Sequence, residues 1–569
     1  MKYLKRYFVF AIVLCSIFFV KFQFFRQDFA RIEDFRGGEL ETTVWNPLVA
    51  ADVNDREIKL VIDNKEYSSN DYQFYMNEDR NIMVPVSILR DALDCSAHVY
   101  DGVELLVEKH NLSVSFTLNN PVALSGEEEV PIVSSLTKMD EEFYVSLNDL
   151  SNVLQYGWDF DIKKNIMTTA DELSNVALLP SRYDLREKER VTTVRNQGSY
   201  GTCWASAALS AIESSLQPEN NVSYSVDHMS MSNSFDVEQN DGGSYTMAMA
   251  YLAAWQGPVY EKDDPYGDGE SDDTLKEVAH VQEMRVLDAK DFTEIKKSVF
   301  KYGGVSTSIF STIRSGETSS TFYNKETNSY CYIGTEKPNH DVVIIGWDDS
   351  YPKENFNVPL EGDGAFICQN SWGENFGENG VFYVSYYDSN IGTHNVVYTR
   401  IEDVDNYDNI YQSDLCGWVG KMGYEKESMF GANVFTAKSN EELVATGFYA
   451  TGPGTEYEVF VVNNFEDTSS FSDMKSVASG TLEHAGYYTI DFNEPVSVAK
   501  GERYAIVVYV YTPGATHPMA IEYKASGKIY DQVDLEDGEG YISYNGSKFT
   551  NVKEEKDCNL CIKAFSNNK

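Results

Sequence analysis

The spacing of apolar positions changes along the chain, and each change predicts a different element. Tyr7 to Val20 is an apolar run preceded by Lys2, Lys5 and Arg6. Between about 55 and 170 a strand, short helix, strand pattern occurs twice. The first copy is Met83-Val84-Pro85-Val86-Ser87-Ile88-Leu89, then Ala92-Leu93 and an extended segment from Ala97 to Val107. The second is Tyr144-Val145-Ser146-Leu147-Asn148-Asp149-Leu150, then Val153-Leu154 and an extended segment from Gly157 to Thr168. Further on, Ala205, Ala208, Leu209, Ile212 and Leu216 recur at helical spacing, which predicts an amphipathic helix opening at Cys203 after a Gly-rich turn. Gly303 to Ile309 reads as a strand on a glycine start, and Val342 to Ile345 as a buried strand beginning near His340. From about 401 short apolar and aromatic runs alternate with Gly, Asn and Asp turns: Ala432–Thr436, Leu443–Ala450, Tyr457–Val462, Tyr487–Phe492, Tyr504–Tyr511 and Met519–Tyr523. That rhythm predicts an all-β sandwich.

Length and composition narrow the picture. A chain of 569 residues is too long for one core, and ~150 residues per domain suggests three or four. Acidic residues outnumber basic ones 89 to 46, for a net charge of -43, so no basic field exists to neutralise phosphates and nucleic acid is excluded as a partner. Eight Cys are too few for a disulfide scaffold. Cys558-x-x-Cys561 has no second Cys or His pair at ligand spacing, so no metal site and no cofactor are expected. The basic and apolar order of residues 1–29 predicts a secretory signal peptide, or an uncleaved signal anchor, since no Ala-x-Ala-like site follows it. Residues 30–54 read as a polar spacer, 55–170 as a small α+β repeat domain and 171–178 as a linker.

The chemistry gathers in three stretches. Cys203 stands at the first turn of its helix, where unpaired amide N–H groups and the helix dipole favour an anion and so a thiolate. Gln197, six residues earlier on the same turn, supplies an amide donor for an oxyanion beside the sulfur. His340 opens the strand Val342–Ile345 and Asn370 sits in Asn370-Ser371-Trp372-Gly373. An Asn side chain accepting from the imidazole would fix its tautomer, and Trp372 would cover that bond from water.

The run Gln197-Gly198-Ser199-Tyr200-Gly201-Thr202-Cys203-Trp204 resembles the active-site segment of papain-like cysteine proteases. Leu179-Pro180-Ser181-Arg182-Tyr183-Asp184-Leu185-Arg186 resembles the start of their mature domain, and Asn370-Ser371-Trp372-Gly373 with Glu378-Asn379-Gly380 matches a further segment. Three positions depart from the family: Tyr200 for a Cys, Ser206 for a frequent Phe, and Asp341 for a small apolar residue. Strand alternation turns Asp341 away from the cleft and so spares the base. The resemblance implies Cys203 as nucleophile, His340 as base, Asn370 as its orienter and Gln197 as oxyanion donor, with a thiolate persisting at neutral pH (the papain pair lies at ~3–4). It also implies that Gly242-Gly243 lets substrate backbone lie close and that Trp372 flanks the site; a helix-leading turn explains the glycines equally. The repeat domain resembles the stalk module of bacterial copper amine oxidases, without their metal residues, and the C-terminal region resembles a lectin-like domain.

The expected architecture is therefore α+β: a two-lobed papain-like peptidase domain over 179–400, preceded by the repeat domain and followed by a lectin-like β-sandwich over 401–569. The expected activity is a secreted or surface-anchored cysteine endopeptidase acting on protein or peptide. The flanking domains imply carbohydrate or cell-wall contact, and an uncleaved N-terminal segment would add the membrane. Two rivals share these residues: a catalytically silent surface adhesin, and a transacylase that passes the acyl group to an amine.

Overall fold

The computed structural model describes residues 179–569 except 180 and 314–319 and, upstream, residues 31–34 and most of 59–170. The expected targeting segment and linker lie outside the described residues. No described helix is long and apolar enough to cross a membrane.

In the upstream unit the two repeat copies meet. Ile82–Pro85 runs into the helix Val86–Asp91, and the equivalent strand Glu142–Ser146 lies antiparallel beside it, with Val84 facing Val145. The extended segment expected over Ala97–Val107 is instead a hairpin of Ser96–Tyr100 with Glu104–Lys109. The chain turns at Gly102, whose φ of +69° suits the three-residue connection between Tyr100 and Glu104. The second copy likewise folds Gly157–Asp161 onto Ile166–Ala170. Leu60, Val84, Leu89, Leu105, Phe116 and Val145 share one core. The expected spacer is not wholly free of structure: Arg31–Asp34 pairs antiparallel with Gly420–Gly423 of the C-terminal region.

The middle region is built in two lobes. Strand β1 (Arg182–Asp184) leads by way of a turn to helix α1 (Cys203–Leu216), and helix α2 (Tyr245–Ala253) packs against it. Then follow β2 (His280–Leu287), α3 (Phe292–Lys301), β3 (Val305–Ile309), β4 (His340–Asp348), β5 (Ala365–Gln369), β6 (Val381–Ser385) and β7 (Asn395–Glu402). Strand β4 is central. It pairs antiparallel with β3 in the register Ile309 to His340, and with β5 in the register Val343 to Gln369. Its run of Val342, Val343, Ile344 and Ile345 is buried on both faces, as a continuous apolar run requires. Helix α1 differs from the amphipathic expectation: from Trp204 to Ser214 it is buried all round. It lies between the helical lobe and strands β3, β4 and β7, and Ala and Ser on its second face allow that close approach.

The C-terminal region is a sandwich. One sheet of six strands includes β8 (Ser428–Thr436). The facing sheet includes β9 (Glu441–Ala450), and β10 (Ala485–Val498) beside it. Each apolar run singled out in the sequence lies largely within a strand, and most of their aromatics face the core; Phe448, Tyr487 and Tyr504 are fully buried. The sandwich is not a separate bead. Strand β2 pairs with β7 and also with β10, so hydrogen bonds run from the peptidase-like sheet into the sandwich sheet. Gly486 makes this junction feasible. Its φ is +143°, and a Cβ there would stand 2.1 Å from the Met284 carbonyl oxygen. Within the middle region Trp255 stacks on His280 at 3.7 Å, and across the same seam it packs onto Phe565 at 5.4 Å.

Gly486→Val should therefore cost at least about 1–3 kcal/mol in backbone strain and separate the two regions. Calorimetry should show unfolding of the middle region and the sandwich resolved into two steps, against greater overlap in the native chain. An unchanged trace would mean that the shared sheet does not couple them.

Candidate active site

The segment Val194–Gln197 is held from both sides. Toward the helical lobe, the Arg195 guanidinium donates to Glu213 Oε2 at 3.1 Å, to Ser210 Oγ at 2.6 Å and to the Tyr224 carbonyl at 3.1 Å. Glu213 is 1% exposed and also accepts from the Tyr224 N–H at 2.7 Å, so its charge is both paired and hydrogen-bonded. Toward the β lobe, Gly373 N–H donates to the Arg195 carbonyl at 2.8 Å, and Gln197 N–H to the Ser371 carbonyl at 2.8 Å. Asn196 and Trp372 form a β-bridge between those bonds.

This clamp brings the sequence candidates together. Cys203 opens α1. The N-cap Thr202 makes no side-chain capping bond; its hydroxyl meets Tyr266 Oη at 2.8 Å instead. The free amides of the first turn stay available near the sulfur. His340 Nε2 lies 2.8 Å from Asn370 Oδ1, and that oxygen also accepts from the Ser371 N–H at 2.8 Å. The Trp372 indole stacks over the imidazole at 4.7 Å, and His340 and Asn370 are buried. With Nε2 engaged, proton exchange with a thiol falls to Nδ1. Gln197 is oriented by its neighbours: Ser371 Oγ donates to its Oε1 at 2.6 Å, and its Nε2 donates one hydrogen to the Tyr200 carbonyl at 2.7 Å. The other amide hydrogen is left for a ligand.

Gly242 and Gly243 lie against the turn before Cys203. Gly242 has φ of +83° and follows a short 3-10 turn whose Gln239 carbonyl accepts from Gly201 N–H at 2.9 Å. A Cβ on Gly243 would stand 2.4 Å from the Trp204 ring. Backbone conformation thus accounts for Gly242 and packing for Gly243, while Gly243 itself remains exposed.

The electrostatics differ from the expected resting thiolate. Burial pushes the Cys203 thiol up to about 12, and the nearby Asp341 carboxylate adds to that; the backbone N–H groups of Asp341, Trp204 and Cys203 pull the other way. Burial takes the His340 imidazole down to about 4 against the opposing bond to Asn370. Burial thus opposes a charge on either group alone, so a thiolate and imidazolium form by moving the proton within the pair. Asp341 does point to the face of β4 opposite His340, as alternation requires, yet its carboxylate still acts on the thiol. Pattern reading missed Ser371 and Tyr266 as supports of Gln197. Ser371 is adjacent to Asn370 in the motif, whereas Tyr266, whose hydroxyl donates to the Gln197 carbonyl at 2.9 Å, carries no sequence signal. Tyr200, where the family motif has a Cys, packs edge-on against Tyr266 at 6.3 Å.

Residues 179–401 match the papain family cysteine protease profile, and residues 410–566 match the lectin like domain profile. The chain thus carries a papain-family cysteine protease domain followed by a lectin-like domain. The same pairing occurs in a solved relative, the clostridial cysteine protease Cwp84 after propeptide cleavage. That structure is 28% identical, with a TM-score of 0.62 over 68% of this chain and 99% of that one. A second structure, of the cysteine protease and lectin-like domains of Cwp84, a surface layer associated protein of Clostridium difficile, gives 27%, a TM-score of 0.61, and 68% and 89% coverage. Among curated sequences, a viral cathepsin of Heliothis zea nuclear polyhedrosis virus is 30% identical over 210 residues, 36% of this chain and 52% of that protein. Cysteine proteinase 1 of Zea mays is 31% identical over 226 residues, 36% of this chain and 56% of that protein. The chain spans little more than half the length of these curated relatives.

Arg195→Met should cost about 3–5 kcal/mol in denaturant unfolding because it strands Glu213 as an unpaired buried charge. The double variant Arg195→Met/Glu213→Gln should recover most of that, since Gln still accepts from Tyr224. If the double variant is no more stable than the single one, the pair is not what holds the clamp.

Proposed function

We propose that this chain is a cell-surface cysteine endopeptidase that cuts protein or peptide substrates through an acyl-enzyme on Cys203. The observation that carries the reading is the Trp372-covered bond between His340 and Asn370, with the backbone N–H of the next residue, Asp341, bonded to the Cys203 thiol at a helix N-terminus. His340 Nδ1 takes the thiol proton as the sulfur attacks the substrate carbonyl. The second amide hydrogen of Gln197 and the Cys203 backbone N–H meet the oxyanion. Protonated His340 gives its proton to the leaving amine as the C–N bond breaks, then removes one from the water that cleaves the thioester. Asn370 keeps the imidazole turned toward the sulfur throughout. The exposed edge of Gly243 offers a strip where substrate backbone lies close. Desolvation opposes a charge on either group alone, and the charge separation is met by groups fixed in advance.

The surface location rests on the likeness to Cwp84, whose description is surface layer associated, and on the basic and apolar order of residues 1–29. In this reading that segment directs export or anchors the chain in the membrane, and the lectin-like domain contacts carbohydrate or cell wall.

Labelling the purified chain with a thiol-directed epoxide peptide tests the reading. Cys203 should be modified ahead of the other thiols, and Cys203→Ala should abolish peptide cleavage. Equal labelling of all thiols with no turnover would leave a binding protein on a protease scaffold. Gln197→Ala should lower kcat by ~10²–10³; an unchanged rate removes Gln197 from the oxyanion role. The pH dependence follows from the upward displacement of the thiol. In His340→Ala no internal acceptor remains, so iodoacetamide labelling of Cys203 at pH 7 should fall below that of an ordinary free Cys. It should then rise about tenfold per pH unit, as the thiolate fraction does below its pKa. Labelling as fast as in the unmodified chain would show that His340 is not the base.

A further inference from the structure

The turn from Gln197 to Cys203 carries both groups assigned to the oxyanion, the Gln197 side-chain amide at its start and the Cys203 backbone N–H at its end. Between them lie Gly198, Ser199 and Gly201. Glycine leaves a backbone many conformations, so a donor pair on such a turn keeps its spacing only where other elements hold it. One hydroxyl touches both ends. Tyr266 Oη lies 2.9 Å from the Gln197 carbonyl oxygen and 2.8 Å from Oγ1 of Thr202, the residue before Cys203. A phenol has a single hydrogen and a carbonyl only accepts, so that hydrogen goes to Gln197. The Thr202 hydroxyl therefore donates to the phenol oxygen. The chain from Thr202 through Tyr266 to Gln197 runs in one direction, and each bond polarises the next. Thr202 and Gln197 are buried, which shields these bonds from competing water.

Tyr266 is itself held from behind. Its N–H donates to Glu261 Oε1 at 2.9 Å, and the N–H of the next residue, Gly267, donates to Asp227 Oδ2 at 2.6 Å. Asp227 is fully buried, and its other oxygen accepts from Gln239 Nε2 at 2.6 Å. The Gln239 carbonyl in turn accepts from the Gly201 N–H. One buried carboxylate thus supports two braces on the turn: Gln239 reaches it at Gly201, and Tyr266 reaches it at Gln197 and Thr202.

We propose that Tyr266 is a positioning residue for the oxyanion site, its hydroxyl fixing the distance between the Gln197 amide and the Cys203 N–H. The inference rests on the peptidase reading above and goes beyond it by giving a role to a residue outside the motif. Charge appears on the substrate carbonyl oxygen only as the bond to sulfur forms. A loosened turn therefore costs rate and leaves substrate binding nearly unchanged.

The test is Tyr266→Phe in the full chain, which removes the oxygen and keeps the ring that packs against Tyr200. With a fluorogenic peptide, kcat should fall about 5–50-fold, less than the ~10²–10³ for losing a donor outright, while KM stays within about twofold. Iodoacetamide labelling of Cys203 should keep its native pH profile, because alkylation forms no oxyanion. The decisive comparison is the Gln197→Ala background. There Tyr266→Phe should cost no more than about threefold, since the amide it positions is gone, whereas a general packing defect would lower both backgrounds alike. Should Tyr266→Phe fail to fold, Thr202→Val breaks the other bond of the chain; it should lower kcat about 3–10-fold, again suppressed by Gln197→Ala. An unchanged kcat, or a loss as large in Gln197→Ala as in the native chain, overturns this inference and leaves the peptidase reading intact. Failure of the native chain to cleave any peptide, with Cys203 unlabelled by the epoxide probe, overturns both.

Discussion

The site depends on one buried ion pair. Arg195 and Glu213 tie the strand-like segment Val194–Gln197 to helix α1, while the backbone of that same segment is bonded to the turn Asn370–Gly373. Cys203 belongs to one lobe, His340 and Asn370 to the other. A displacement of even an ångström between groups that must exchange a proton is expensive in rate. A buried pair of this kind is weak evidence for stability in itself, because desolvation offsets much of its attraction. Its value here is geometric. Arg195 has directional donors to Glu213, Ser210 and the Tyr224 carbonyl, so the helix and the segment have one relative position. Gln197 then inherits its place from the same clamp, with Ser371 fixing which way its amide faces.

A second constraint works at larger scale. Strand β2 has partners on two sides, and through β10 the middle sheet continues into the sandwich. A papain-family domain linked by a flexible tether would leave the lectin-like domain free to reorient. Here, backbone hydrogen bonds, the packing of Trp255 on Phe565 and the bond from Gln412 Nε2 to the Ala254 carbonyl at 2.9 Å hold one orientation. Whatever the sandwich binds is therefore presented at a set angle to the cleft, and the strand Arg31–Asp34 adds an upstream segment to that same sheet system.

Much of this was legible in the sequence, for identifiable reasons. The helix at Cys203, the strand after His340 and the six runs of the sandwich follow from period alone, because each has a core to face. The grouping of Cys203, His340, Asn370 and Gln197 follows from local motifs whose flanking residues are constrained by backbone shape. What was not legible depends on partners distant in the chain. Nothing in the run up to Tyr266 shows that its hydroxyl would reach the Gln197 carbonyl, and nothing in Gly486 shows that it would abut Met284 in another domain. Helix α1 was misread as amphipathic because Ala and Ser look exposed to a hydropathy pattern, whereas at a tight helix–sheet contact small side chains are what permits burial. The repeat's long strand differs from the expectation because the three-residue turn at Gly102 is brief enough to hide inside an extended pattern.

Asp341 shows where a correct local rule led to the wrong consequence. Alternation did place its side chain on the face away from His340, yet the start of α1 lies within reach of its charge. From there the carboxylate opposes ionisation of the thiol and so works against the nucleophile. The backbone N–H of the same residue pulls the other way, so Asp341 both opposes and supports an anion at sulfur, and it is the pairing with His340 that supplies what the isolated thiol lacks.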